Sequence, residues 1–138
     1  MVVHVSLADQ TAHIFRGGEL IGVTTVSTGS RLHRTPTGVY PILQKKRRHY
    51  SNLYDAAPMP YMQRLTWDGI ALHGGDIPGY PASHGCVRLP HRFAKLLFSE
   101  TDADTTVIIS EGPPSGDLLP AEAAPDLALA DEIALTDN

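Results

Sequence analysis

The sequence predicts a mainly β fold with one short helix, on three observations. Runs rich in Val, Ile, Thr and Phe recur between Val2 and Ser110, each bounded by turn-forming residues. Gly and Pro residues punctuate these runs where a chain reversal is needed. Only one stretch, just after Pro90, places apolar side chains at helical spacing.

The elements follow in chain order. Val2 to Leu7 alternates in character, Ala8-Asp9-Gln10 supplies a turn, and Thr11 to Arg16 completes a hairpin. Gly17-Gly18 turns the chain into a third strand, Glu19 to Ser27. Gly29 to Thr35 reads as a loop, and Thr35-Pro36-Thr37-Gly38 has Pro and Gly placed for a tight turn. Val39 to Lys46 reads as one strand, with Pro41, which has no N–H to donate, at an edge or bulge. His49 to Tyr61 lacks periodicity, and loops of this length often cover sites. Met62 to Trp67 and Ile70 to His73 flank Asp68-Gly69, the strongest hairpin signal in the chain. Gly74 to Gly85 is a glycine-rich loop. Pro90 suits the first helical position, Phe93, Leu96 and Leu97 share a face, and the helix is expected to end near Ser99. Thr106 to Ser110 is a last buried strand.

Composition limits what such a chain does. Its 138 residues suit one domain large enough to fold without disulfides or a structural metal. A single cysteine, Cys86, excludes an internal disulfide and multi-thiolate zinc sites. The net charge of −4 divides unevenly: residues 1–110 carry all eleven Lys and Arg and are +3, while residues 111–138 hold seven acids and neither base. The expected division is therefore a folded unit over 1–110 and an acidic, Pro- and Ala-rich tail over 111–138 without a fold. Within the tail, Leu127, Leu129, Ile133 and Leu135 offer at most a weak amphipathic turn. Lys45-Lys46-Arg47-Arg48 is the one dense basic run, and it reads as a solvated strand end rather than a nucleic-acid site. No stretch has the length and apolarity of a membrane span, and the N-terminus shows no secretion signal.

The chemistry-bearing stretch is Ser83-His84-Gly85-Cys86-Val87-Arg88-Leu89. A lone cysteine is by default a small buried hydrophobe. Here Gly85 removes bulk beside the thiol, His84 and Arg88 bring positive charge, and the helix start downstream is expected to aim N–H groups at it. Such surroundings lower a thiol pKa. A cysteine nucleophile also needs a base. His73 ends a strand and opens the loop returning to Cys86, so it ranks first; His84 ranks second, and His91 reads equally well as a surface residue.

His73-Gly74-Gly75, a short loop, then Ser83 to Leu89 resembles the signature of the L,D-transpeptidase (YkuD-like) catalytic domain. The opening hairpin, the Thr35–Gly38 segment and the Tyr61–His73 approach are also similar, over about residues 2 to 110. The resemblance implies a β-sandwich or barrel with a helix at the active-site end, and acyl transfer on peptidoglycan stem peptides through a cysteine thioester. It matches Cys86 to the nucleophile, His73 to the general base, and Gly74 to the carbonyl that orients the imidazole. His84, Gly85 and Cys86 match the segment lining the oxyanion site, Ser83 stands with them among the substrate-binding positions, and Arg88 matches a position that holds the site or a substrate carboxylate. It implies no cofactor or metal, acylation by carbapenem-type inhibitors, and action in the periplasm or cell wall.

Three other readings stay open on sequence. Water as acceptor would make the same site an L,D-carboxypeptidase, and lid residues such as Tyr61 and Arg64 are candidates for influencing acceptor choice. The domain could instead bind peptidoglycan with its site idle. A metal hydrolase using His73, Asp76, His84 or Cys86 lacks any His-x-x-x-His or paired-thiol spacing.

Overall fold

A computed structural model describes residues 1–51 and 57–114. The acidic tail from residue 115 onward, with its proposed amphipathic turn, lies outside the described residues, as does the middle of the 49–61 loop. The strands are β1 (Val2–Ser6), β2 (Thr11–Arg16), β3 (Glu19–Thr25), β4 (Gly38–Pro41), β5 (Gln44–Lys46), β6 (Met62–Arg64), β7 (Ala71–Gly74), β8 (Val87–Leu89) and β9 (Thr106–Ser110); α1 spans His91–Glu100. They form a five-stranded sheet, ordered β3-β2-β1-β9-β4, and a four-stranded sheet, ordered β5-β6-β7-β8. The β1–β9 and β7–β8 pairs are parallel and the others antiparallel.

Alternation along the strands sorts side chains between two faces. Val3, Val5, Ala12, Ile14, Val107 and Ile109 from the first sheet meet Leu72, Val87 and Leu89 from the second, and Ala94 and Leu97 of α1 close the same core. The mainly β architecture with one helix agrees with the sequence reading. Its details differ in five places.

The run read as one strand from Val39 to Lys46 breaks at Ile42-Leu43. β4 is an edge strand of the first sheet, where Pro41 costs no internal ladder bond, and β5 is an edge strand of the second. The tight turn falls before Thr35, with the His33 N–H donating to Ser30 O at 2.9 Å. Pro90 is the N-cap rather than the first helical residue, and Leu96 is 59% exposed, so the buried helix face runs through Ala94 and Leu97 with Phe93 beside it. β8 is a strand that a three-residue pattern is too short to announce. Lastly, Lys45 is half-buried and engaged rather than simply solvated: its Nζ donates to the carbonyl oxygens of Phe98 and Thr101 and lies 4.4 Å from the Phe98 ring centroid. α1 has no basic residue in its last turn, so Lys45 supplies from β5 the positive charge that favours a helix C-terminus. Lys46, Arg47 and Arg48 remain exposed.

The other face of the first sheet carries a buried histidine. His4 on β1 is fully buried, stands opposite His13 on β2, and its Nε2 lies 3.0 Å from the Ser110 hydroxyl on β9. Burial first, and then the charge of His13, lowers its pKa from 6.5 to about 4. Between those values the unfolded chain binds a proton that the folded one refuses, so folding loses stability as pH falls from about 6.5 to about 4. The loss totals about 3 kcal/mol. Urea midpoints measured across that range should decline for the wild type and flatten in His4→Gln; parallel profiles for the two would refute this role.

Candidate active site

The second sheet has two unlike faces. Leu72, Val87 and Leu89 point into the core, so alternation sends Ala71 and His73 on β7, and Cys86 and Arg88 at β8, to the opposite face. There Met59, Met62 and Ala71 form a small apolar cluster against Cys86. A cavity of about 670 Å3 opens over this face, and its walls include Cys86, His73, Arg88, Arg64, Trp67 and His49.

Cys86 is partly exposed at the start of β8, and its thiol donates to Gly69 O at 3.2 Å. Gly69 belongs to the β6–β7 turn, where its N–H donates to Thr66 O. The Asp68-Gly69 turn read from the sequence thus also supplies an acceptor to the thiol. His73 is 8% exposed, and its Nδ1 lies 2.8 Å from Gly74 O. A carbonyl can only accept, so Nδ1 carries the hydrogen and Nε2 is the nitrogen left to exchange protons.

The chain around Cys86 is braced from the first sheet's side. Isolated bridges join Ser27 to Arg88 and Gly29 to Ser83. The Thr35 hydroxyl accepts from the Gly29 N–H at 2.8 Å and donates to Gly85 O at 2.7 Å. The Ser83 hydroxyl donates to Cys86 O at 2.6 Å and accepts from the Gly85 N–H at 3.1 Å. Gly85 has φ +126°, and a Cβ there would sit 3.2 Å from Ile70 Cδ1, so glycine is required directly before the thiol. Gly75 serves another need: a Cβ would lie 3.1 Å from the Arg88 side chain, which crosses it to reach Ala82 O at 3.4 Å.

These contacts revise several expectations. The Ser83 N–H donates to Thr28 O at 3.0 Å and that of Gly85 to Ser83 Oγ, so neither is available to an oxyanion in this geometry. Ser83 and Gly85 shape the loop instead. His84 is exposed and its ring meets that of His33 edge-on, at 5.0 Å between centroids. It nevertheless borders the same cavity as Cys86. β8 lies between Cys86 and α1, so the helix begins beyond the far end of a strand about 10 Å long and does not aim its N-terminus at the thiol. His91 is exposed yet borders the cavity, beside Gly74.

The expected lowering of the thiol pKa is overturned for the same reason. Burial pushes the Cys86 thiol up, and the opposing influences of the Ala71 backbone and the charges of Arg64 and Arg88 do not offset it. Burial likewise holds the His73 imidazole below its usual value; the Gly74 carbonyl opposes this, and the charges of Arg88, His91 and His49 add to it. At neutral pH the pair therefore rests as thiol and imidazole, both uncharged.

Sequence reasoning missed Thr35, whose hydroxyl joins two loops, because a Thr-Pro pair reads as a turn. It missed the Gly69 carbonyl because backbone acceptors leave no trace in residue type. Of the two residues considered for acceptor choice, Arg64 lines the cavity, whereas Tyr61 packs on Phe98 of α1, 5.7 Å between ring centroids.

Comparison with known proteins gives a consistent picture. The family described as the L,D-transpeptidase catalytic domain (YkuD) matches residues 1–109. An L,D-transpeptidase from Stackebrandtia nassauensis is 31% identical, with a TM-score of 0.74 over 82% of this chain and 56% of that one. One from Mycobacterium tuberculosis is 24% identical, with a TM-score of 0.71 over 80% of this chain and 57% of that one. An L,D-transpeptidase solved in complex with imipenem is 22% identical, with a TM-score of 0.72 over 79% of this chain and 58% of that one. The chain thus spans a little over half the length of these relatives. A search of curated proteins finds no match. Among the described residues, no helix is long and apolar enough to cross a membrane.

Proposed function

Because this chain belongs to the L,D-transpeptidase catalytic domain family, we propose that it performs cysteine-dependent acyl transfer on peptidoglycan stem tetrapeptides in the periplasm or cell wall. The observation that carries this reading is the pairing, on one face of the second sheet, of the only cysteine with a histidine whose Nδ1 is held by the next residue's carbonyl. That arrangement fits a nucleophile, a base and an orienting group.

The steps follow from the uncharged resting pair. His73 Nε2 takes the thiol proton as Cys86 Sγ attacks the carbonyl of the stem's third residue, and the resulting imidazolium returns that proton to the departing amine of the terminal D-alanine. A thioester on Cys86 remains. An amine from a neighbouring stem then attacks it, giving its proton to His73, and the thiolate leaves and is reprotonated. The product is a cross-link between third residues. Arg88, at the cavity wall, favours the negative charge that develops on sulfur and oxygen.

The direct test is incubation with a disaccharide-tetrapeptide followed by mass spectrometry. Cross-linked dimer with release of D-alanine is the expected result, and accumulation of tripeptide alone would move the assignment to L,D-carboxypeptidase. Binding without any product or adduct would favour an idle peptidoglycan-binding domain.

A further inference from the structure

The cross-strand register places a second charged residue in line with the nucleophile. Arg64 on β6 pairs with Ala71 on β7, and Leu72 pairs with Val87, so one step earlier Ala71 stands beside Cys86. Residues opposite one another in a sheet share a face, so Arg64, Ala71 and Cys86 form a row across three strands. All three border the cavity. Ala71 is the smallest side chain that could occupy the middle of that row, which leaves a trough with a guanidinium on one bank and a thiol on the other.

Arg64 is held but not neutralised. Its Nε donates to Gln44 Oε1 at 3.1 Å, and its guanidinium carbon lies 5.7 Å from the Trp67 ring centroid, with Trp67 itself 71% exposed. Among the described residues the ion pairs are Arg16–Glu100 and Arg34–Glu111, so none engages Arg64. The nearby acid Asp68 is turned toward the Thr66 hydroxyl of its own turn. A neutral partner at Nε and an aromatic ring at one side fix the fork while leaving its terminal nitrogens to bind an anion.

We propose that Arg64 is a specificity-determining residue that binds the C-terminal carboxylate of the peptide donor, so that the residue released is the last one of the chain. This rests on the function proposed above and specifies its donor. The spacing suits it. Two strand separations put the Arg64 and Cys86 backbones about 10 Å apart. The two side chains extend over the trough from either side, leaving a gap that a single residue, from attacked carbonyl to terminal carboxylate, can bridge.

The test compares a stem tetrapeptide ending in a free carboxylate with its C-terminal carboxamide. Two readouts are needed: kcat/KM for release of the last residue, and equilibrium binding to the Cys86→Ala protein, in which no chemistry occurs. Wild-type protein should prefer the free acid roughly 10- to 100-fold, the worth of a charge-assisted hydrogen bond, and Arg64→Gln should bring that ratio close to one. Arg64→Lys should restore part of it. Loss of affinity for acid and amide alike in Arg64→Gln, or no discrimination by wild type, would overturn the assignment. If nothing is turned over but the free acid still binds preferentially through Arg64, the catalytic reading fails and the carboxylate site stands. Turnover without discrimination would do the reverse.

Discussion

Cys86→Ala protein is expected to form no covalent adduct with imipenem and to lose peptide turnover by roughly 10^4-fold or more, the scale seen when a nucleophile is removed. The prediction is sharp because the chain has one cysteine. An adduct that survives the substitution would have to sit on a hydroxyl or amine, and the nucleophile assignment would be wrong. Stability should change far less than activity. The thiol packs at the margin of a small cluster formed by Met59, Met62 and Ala71, outside the main core, so removing one sulfur should cost about 1 kcal/mol. A matching thermal midpoint with the adduct gone separates lost chemistry from lost fold. Cys86→Ser is the harder control. It keeps the shape and the donor to Gly69 O, but a hydroxyl is a far weaker acid than a thiol, and an imidazole whose basicity burial has lowered is a poor match for it. Its activity should fall almost as far.

How much of this was legible in the sequence depended on where the information lay. Period-two alternation and Asp-Gly chemistry are local, so the β1–β2 hairpin and the β6–β7 turn could be read directly. The split of 39–46 into β4 and β5 could not, because exchange of a strand between sheets is decided by partners 16 to 71 residues away. The candidate site shows the same boundary. Residue types named Cys86 and His73, and the resemblance named Gly74. The direction of the thiol pKa was misread, since burial is the largest influence on it and burial is a property of the assembled face. The helix N-terminus was credited to Cys86 for want of β8, whose three residues interpose a strand's length. Arg64 entered only as a residue beside a lid. Its place in line with Ala71 and Cys86 comes from the register of two strand pairs, which no single segment of sequence encodes.

His73→Ala should abolish turnover, with His84→Ala doing less damage, and the pH dependence of the wild type should show why. A lowered imidazole pKa means that His73 is already neutral, and so able to accept the thiol proton, at pH values where an ordinary histidine is still partly charged. For acylation by peptide, kcat/KM should therefore rise through a pKa below 6.5 and then stay level, since that parameter reports the free enzyme. Alkylation by iodoacetamide needs no base and follows the thiolate. With the thiol pKa pushed up by burial, its rate should still be climbing above pH 8.5. The proposed mechanism separates the two profiles, because in it the imidazole removes the proton only as the carbon–sulfur bond forms, not beforehand. A pre-formed thiolate–imidazolium pair gives a different signature, with alkylation reaching its plateau below pH 7. That result would show that Arg64 and Arg88 outweigh burial at the thiol, and would restore the lowered thiol pKa that the sequence suggested. The substitutions test the base independently of charge state. His73 is buried with one nitrogen fixed on Gly74 O, while His84 stands exposed against His33, so a more severe loss in His84→Ala, with both variants folded, would reassign the base.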